Sequence, residues 1–345
     1  MNGFDEFELI ARYLSPLAAD AAGAFGLMDD AALFDLEQGE SVVVTTDSVV
    51  AGIHFFADDP PSDIARKALR VNLSDLAAMG ARPRAYTLAA VLPPETTSDW
   101  LVAFAVGLRM DQAEFGLDLL GGDTVAGLGP LTLTITALGT TKGGHILRRS
   151  CAVAGETIYV TGTVGDAALG LQLLRGHGSS NLVDEILRDE LISRYRRPNP
   201  RTDLGQALPG VASAAIDISD GLLADLRRLC VASGLAAEIE LTKVPMSVAA
   251  LLSAAAALPD DELEFSGLYD IERFALTGGD DYELLFTAPS SATREVEELG
   301  RTYDVAITAI GRTRDGEGVV VRGAQGEALE IPDGGHIHSW QNQDS

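Results

Sequence analysis

Carboxylates occur in this chain at places where a folded protein ordinarily keeps apolar side chains. In SVVVTTDSVVAGIHF (41–55) Asp47 follows Thr45 and Thr46 inside a run of valines. A continuous strand would put Thr45 and Asp47 on one face. A carboxylate buried there needs a cation or strong donors; the plain alternative is a strand end turning into solvent. In SDIARKALRVNLSDLAAM (62–79) the helical stripe Ala65, Ala68, Asn72, Asp75, Met79 is small and apolar except for Asn72 and Asp75. LDLLGGDTVAG (117–127) places Gly121, Gly122 and Asp123 after a strand-like run. Glycines there let a group such as a phosphate approach the backbone, although GGD also describes many ordinary turns. In AAIDISDGLLADL (214–226) Ile216 and Ile218 alternate with Asp217 and Ser219, and Asp220 and Gly221 then open a helix with the stripe Leu222, Leu223, Leu226, Leu229, Cys230. An N-cap accounts for one of the three polar residues but not for Asp217, and a strand-to-helix junction is a ready phosphate site. MDDAALF (28–34) and TGGDDYELLF (277–286) each add a carboxylate pair beside apolar residues.

Two unit charges about 4 Å apart repel by roughly 4 kcal/mol at an effective dielectric of 20. Carboxylates that converge therefore need divalent cations between them, and an oxygen-only donor set without a His or Cys cluster selects magnesium over zinc. The chain has no Walker A motif, no kinase catalytic loop, no GxSxG and no HxxxH pair; VTGTVGDAA (160–168) lacks the GK[ST] ending. The five histidines are scattered, and His54 alone sits inside a motif-like segment.

The elements that must position these residues alternate. Strands are expected at 42–50, 83–93, 117–122 and 131–140, the last with clean period-2 alternation. Helices are expected at 62–79, with Ser62 as N-cap and Gly80 just past the end, and at 97–116. A glycine- and arginine-rich stretch, TTKGGHILRRSCAVAGE, reads as a linker. Strand, glycine turn and helix follow over 156–174. Further strands are expected in VASAAIDISD, AAEIEL and VAITAIG, FALTGGDDYELLFT reads as a turn running into a strand, and helices are expected in GLLADLRRLCVASG and near 247–257 and 290–299. With 345 residues, the economical reading is an α+β chain of two domains, 1–145 and 150–340.

The charge balance, 25 − 51 = −26, argues against nucleic acid or an anionic membrane as partner. Most carboxylates in so acidic a chain are solvated surface, as in a salt-adapted protein, so one assigned a function must be special in its context. No apolar stretch is long enough to span a bilayer, the acidic N-terminus does not read as a signal peptide, and the two cysteines have no ligand spacing. A cytoplasmic location is the expectation.

Together TTDSVVAGIHF, KALRVNLSDLAAMGARP, GGDT, LRRS, AIDISDGLLADL and GGDDYELLFT, in this order and spacing, resemble the thiamine-monophosphate kinase family, part of the superfamily that includes aminoimidazole ribonucleotide synthetase. The resemblance covers about residues 4–340. It implies a homodimer paired through the N-terminal sheets, a C-terminal α/β layered domain, ATP in the cleft between domains, and direct γ-phosphoryl transfer to thiamine monophosphate, giving thiamine diphosphate and ADP. It implies several magnesium ions held by Asp30, Thr45, Thr46, Asp47, Asp75, Asp123, Asp217 and Asp220. It further implies ATP contacts at Gly121, Gly122, Arg149 and Ser219, and substrate contacts at His54, Asp280 and the stacking aromatic Trp340. The chain departs from the family pattern at Met28, where a glycine is usual before the acidic pair, and in GGHIHSW near the C-terminus. An acceptor that is already a phosphate needs no general base, in keeping with the lack of a candidate for one. The alternatives are another ATP-using enzyme of the superfamily, a non-catalytic magnesium–nucleotide binder, or a salt-adapted surface without a site. The selenophosphate enzyme would want a reactive Cys or selenocysteine near the N-terminus, and the first cysteine is Cys151.

Overall fold

The computed structural model describes residues 6–176, 185–257 and 266–331. In chain order the first elements are α1 (Glu6–Leu9), β1 (Glu40–Val50), α2 (Pro61–Ala78), β2 (Arg82–Leu92), α3 (Ser98–Phe115), β3 (Asp118–Ala126) and β4 (Thr132–Lys142). They are followed by β5 (Thr157–Thr161), α4 (Asp166–Leu174), α5 (Glu185–Arg196), α6 (Thr202–Ala207), β6 (Ala214–Asp217), α7 (Leu222–Ser233) and β7 (Ala236–Glu240). The last are α8 (Val248–Ala257), α9 (Ser266–Thr277), β8 (Leu284–Ala288), α10 (Thr293–Thr302), β9 (Ile307–Arg314), β10 (Gly318–Arg322) and β11 (Ala328–Leu329). The chain divides into two compact units, one of residues 1–146 with 196–209 and one of 147–195 with 210–345. Each is α+β.

The first unit holds a four-stranded sheet in the order β1-β4-β2-β3, antiparallel except for the parallel pair β2–β3. Helix α2 lies on one face of it, and its residues Ala65, Leu69, Leu73, Leu76 and Ala77 are fully buried. The helix begins at Pro61, one residue before the expected Ser62 cap. Pro60 occupies the N-cap position without a side-chain hydrogen bond, because a proline at the first helical position already has a suitable φ and no N–H to satisfy. Helix α3 is capped by the Thr97 hydroxyl, which accepts from the Trp100 N–H, and ends at left-handed Gly116. α2 and α3 approach closely, since a Cβ at Gly107 would stand 2.3 Å from the Ser62 carbonyl oxygen. A buried ion-pair network joins them: Arg66 and Arg70 both reach Asp111, and Arg70 also donates to Glu114 and to the Pro198 carbonyl.

The open face of this sheet follows from strand periodicity. Along β4, Leu133, Ile135 and Ala137 are fully buried while Thr134, Thr136 and Leu138 are half-exposed, the alternation expected for that run. On β1 the open-face residues are Val42, Val44, Thr46 and Ser48; Val42 is 37% and Val44 59% exposed. Thr46 pairs with Thr136 and Ser48 with Thr134.

The second unit holds a seven-stranded mixed sheet in the order β11-β10-β7-β9-β5-β8-β6. Its core gathers Ile158 and Val160 of β5, Ile216 and Ile218 around β6, Leu222, Leu226 and Leu229 of α7, and Leu285 of β8. The α7 stripe read from the sequence thus faces the sheet. FALTGGDDYELLFT runs from a turn into a strand as expected, the strand beginning at Leu284, but its first four residues close α9. Between them, Gly278–Glu283 run as a loop with left-handed backbone at two non-glycine residues, Asp280 (φ 68) and Tyr282 (φ 52). Among the described residues no helix is long and apolar enough to cross a membrane.

Candidate functional site

In the first unit β1 and α2 bring two of the sequence candidates into contact. β1 runs unbroken through Thr45–Asp47, so Thr45 and Asp47 share the face turned toward α2. The Thr45 hydroxyl donates to the Asp75 carboxylate at 2.5 Å. Thr46 is on the other face, where its hydroxyl donates to the Ile135 carbonyl; its side chain is not gathered with the other three. His54 lies in the turn after β1 and its Nδ1 accepts the Val50 N–H at 3.0 Å. The neutral ring then carries its proton on Nε2, which makes that nitrogen a donor suited to a phosphate oxygen.

The glycines of GGDT sit inside β3 rather than after it. Leu119 pairs with Tyr86 and Gly121 with Thr87, so Leu120 is the extra residue of a bulge. Such a bulge re-aims the residues that follow it. Gly122 is required by packing, because a Cβ there would meet the Leu88 carbonyl oxygen at 1.8 Å. At Gly121 an added Cβ would meet nothing within 4 Å. Gly121, Gly122 and Asp123 line a cavity of about 250 Å³ together with Asp29 and Asp30. Its remaining wall is largely apolar, with Ile10, Leu14, Leu27 and Leu119. The acidic pair reaches the cavity through a closed loop in which the Leu33 N–H donates to the Gly23 carbonyl. Met28 replaces the glycine of the family pattern without strain, since the left-handed positions of this loop are Phe25, Gly26 and Leu27 and Met28 itself has φ −109.

In the second unit Asp217 is buried at the end of β6, opposite Leu284 of β8. The turn that follows is held by a residue the sequence reading passed over. Asp225 Oδ2 accepts the N–H groups of Ser219 (3.1 Å), Asp220 (3.0 Å) and Gly221 (3.1 Å). Three successive N–H groups converging on one point form an anion-binding nest, and here the chain's own carboxylate fills it. The expectation that this junction offers its N–H groups to a phosphate is thereby corrected. Arg228 donates to Asp225 Oδ1 at 2.6 Å and pairs with Asp220. Burial pushes the Asp225 carboxyl up to about 6, against the pull of the Asp220 N–H and Arg228. A signal was present in the sequence: Asp225 stands three residues after Leu222, on the apolar stripe of α7, where a carboxylate needs partners.

The loop after α9 is fastened along this turn. Asp280 N–H donates to the Ser219 carbonyl, Tyr282 N–H to the Ile218 carbonyl, and Ile218 N–H to the Glu283 carbonyl. The backbone alternates, so the two members of the acidic pair diverge. Asp280 is half-buried beside the Tyr282 hydroxyl. Asp281 is buried, accepting the Gly165 and Ala167 N–H groups at the start of α4, and its burial, opposed by those donors and Arg194, pushes its carboxyl up to about 8. Glu283 is buried too and accepts from Thr161 and Arg194. Positive φ at two non-glycine residues costs on the order of 1–3 kcal/mol each; the strain holds Asp280 against the Ser219–Asp220 turn while its neighbours are sunk in the core. Arg149 is exposed, and its carbonyl accepts the Ser233 hydroxyl at the far end of α7. Trp340 lies outside the described residues.

Among the described residues no three His, Cys, Asp or Glu side chains gather into a preformed metal nest. The donors present still fit magnesium, because they are all hard oxygens and because that ion keeps several waters and takes one or two carboxylates plus substrate phosphates rather than an all-protein cage. Asp30 and Asp123 on one cavity, and Asp75 with the Thr45 hydroxyl, are sets of that kind.

The family model described as AIR synthase related protein, N-terminal domain, matches residues 28–141, and its C-terminal counterpart matches residues 153–324. The thiamine-monophosphate kinase of Salmonella typhimurium is 42% identical over 308 residues, 89% of this chain and 87% of that protein. The Bacillus subtilis enzyme of the same name is 31% identical, covering 90% of this chain and 92% of its own length. Among solved structures, thiamine-monophosphate kinase from Stenotrophomonas maltophilia superposes with TM-score 0.80 at 39% identity, over 93% of this chain and 97% of that one. A protein described as AaThiL complexed with AMPPCP and TMP superposes with TM-score 0.74 at 28% identity over 96% of each chain. With relatives this similar along nearly its whole length, the chain belongs to the thiamine-monophosphate kinase family.

Proposed function

We propose that this chain transfers the γ-phosphoryl group of ATP to thiamine monophosphate, giving thiamine diphosphate and ADP, as the names of its relatives and the AMPPCP and TMP complex of one of them support. The observation that carries the reading is the pairing, in one cavity, of an open glycine backbone with oxygen-only carboxylates: Gly121 beside Asp30 and Asp123. The N-terminal domain, read as 1–145, would hold magnesium through Asp30, Thr45, Asp47, Asp75 and Asp123, with Thr46 turned to the other face of its strand. The C-terminal domain, read as 150–340, would contribute Asp217 and Asp220, with Ser219 and Arg149 toward ATP and Asp280 and Trp340 toward the thiamine moiety. Magnesium, when bound, neutralises phosphate charge and aligns donor with acceptor. The chain's own residues act by position. Gly121 leaves room for a phosphate against the main chain, Nε2 of His54 offers a donor to the acceptor phosphate, and the Asp225 nest fixes the turn that carries Ser219 and Asp220. An acceptor phosphate is already anionic, so no residue need remove a proton from it.

We further infer a homodimer formed through the open face of β1, where an edge strand carries exposed Val42 and Val44. Val44→Lys should shift the molar mass measured by light scattering from dimer to monomer. The free cysteines, exposed Cys151 and buried Cys230, suit a reducing cytoplasm.

A coupled assay for ADP release, with and without thiamine monophosphate, tests the activity. Release should require the acceptor, and acceptor-independent or absent turnover would reject the assignment. Asp75→Asn and Asp217→Asn should each lose most activity with the circular dichroism spectrum intact. Turnover near wild type in either would contradict its assigned role.

A further inference from the structure

The 217–221 turn carries a cation of its own. Arg228, two turns into α7, forks between two carboxylates: one nitrogen meets Asp225 and another meets Asp220. The two carboxylates differ in what else holds them. Asp225 is buried and keeps three main-chain N–H donors whether or not Arg228 is present. Asp220 is 25% and Arg228 43% exposed at the side chain, so their contact lies at the surface, where an ion from solution can reach it. A guanidinium already seated on a carboxylate oxygen opposes a second cation arriving at that oxygen, because the two repel and because the oxygen's lone pairs are engaged.

We propose that Arg228 is a resident counter-cation on Asp220 which an incoming divalent ion must displace, so that this arginine sets how much metal the turn requires before it loads. The inference rests on the reading of Asp220 as a magnesium ligand. It makes Arg228 a positioning residue in the metal-free protein and a competitor during loading. Two carboxylates sharing one guanidinium also keep Asp220 aimed along the turn instead of swinging into solvent, where its charge would attract ions less selectively.

The test is Mn²⁺ binding to the full chain without nucleotide, read as loss of the free-ion electron paramagnetic resonance signal. Arg228→Gln should tighten Mn²⁺ binding by about three- to ten-fold. Arg228→Lys, whose single ammonium cannot span both carboxylates, should fall between wild type and the Gln variant and carries the test if the Gln variant melts early. Asp220→Asn should weaken binding, and adding Arg228→Gln to it should then change nothing, since the competition has lost its object. Affinity equal to or weaker than wild type in a folded Arg228 variant overturns the proposal. If Asp220→Asn weakens binding while neither Arg228 variant tightens it, the competition alone fails. If Asp220→Asn leaves binding unchanged, the ligand assignment fails and takes the proposal with it.

Discussion

Gly121 and Gly122 are adjacent in sequence and opposite in what they tolerate, and that contrast can be tested directly. A Cβ at position 122 would stand 1.8 Å from the Leu88 carbonyl oxygen, whereas real Cβ atoms essentially never approach closer than 3.0 Å. Strand β3 would have to move away from β2 by about 1.2 Å, the difference of those two distances. The obstacle is backbone, so no rotamer change relieves it. A shift of that size breaks the two or three ladder bonds flanking Leu88, and at about 0.5–1.5 kcal/mol net for each bond the loss is about 1–4.5 kcal/mol. Position 121 lines the cavity and a Cβ there meets nothing within 4 Å, so Gly121→Ala should change stability by less than about 1 kcal/mol. It should instead reduce ATP affinity, because a methyl group then stands where a phosphate would meet the main chain. Urea denaturation gives the stabilities and isothermal titration with ATP the affinities. Equal stabilities of the two variants, or Gly122→Ala less than about 1 kcal/mol below wild type, would refute the reasoning, since about 1 kcal/mol is the least it allows.

Other outcomes follow from the buried charges. Asp225 titrates near 6 in the fold because of burial, above the ordinary carboxylate value of 3.8. The folded state therefore binds more protons than the unfolded one between those values, and this group's contribution is full below pH 3.8 and is lost as pH rises through 6. Wild type should lose more stability than Asp225→Asn on going from pH 4 to pH 7 in urea titrations, and parallel curves would contradict the assignment. Asp225→Ala, which strips the nest of its acceptor, should destabilise by about 2–4 kcal/mol. Asp111→Ala should cost about 3–5 kcal/mol, since it removes the buried carboxylate of Arg66 and Arg70 and leaves only the more exposed Glu114 to pair with both; a melting temperature close to wild type would show that the network relaxes. Thr97→Ala should cost about 1 kcal/mol by removing the cap of α3, measurable in the same denaturation experiment.

What could be read in the sequence was mostly periodic. The α7 stripe, the alternation of β4 and the shared face of Thr45 and Asp47 each came from side-chain direction along a regular element, and the structure reproduces all three. Departures arose where tertiary contacts replace a local rule. Ser62 has the right chemistry for a cap, but proline at position 61 starts the helix one residue sooner. Gly121–Asp123 look like a strand end because glycine is rare inside strands, yet a bulge at Leu120 lets β3 continue through them. Asp280 and Asp281 look equivalent, and only the positive φ at Asp280 and Tyr282 sends one toward the turn and the other into the core. No local pattern announces a left-handed Tyr. The partners of Asp281 come from α4 and those of Glu283 from α5 and β5, elements 90 to 120 residues distant in the chain, roughly, and separation of that length is invisible to any window of sequence.

The carboxylate sealed within the 219–221 turn has a thermodynamic consequence for ligand association. A loop whose amides wait for a phosphate must be ordered by the phosphate, and that ordering is subtracted from the affinity. Here the amides of Ser219, Asp220 and Gly221 are already satisfied by Asp225 without a ligand, so no phosphate is needed to order them. If Ser219 and Asp220 meet the nucleotide as proposed, binding there need not order the turn, and release need not melt it.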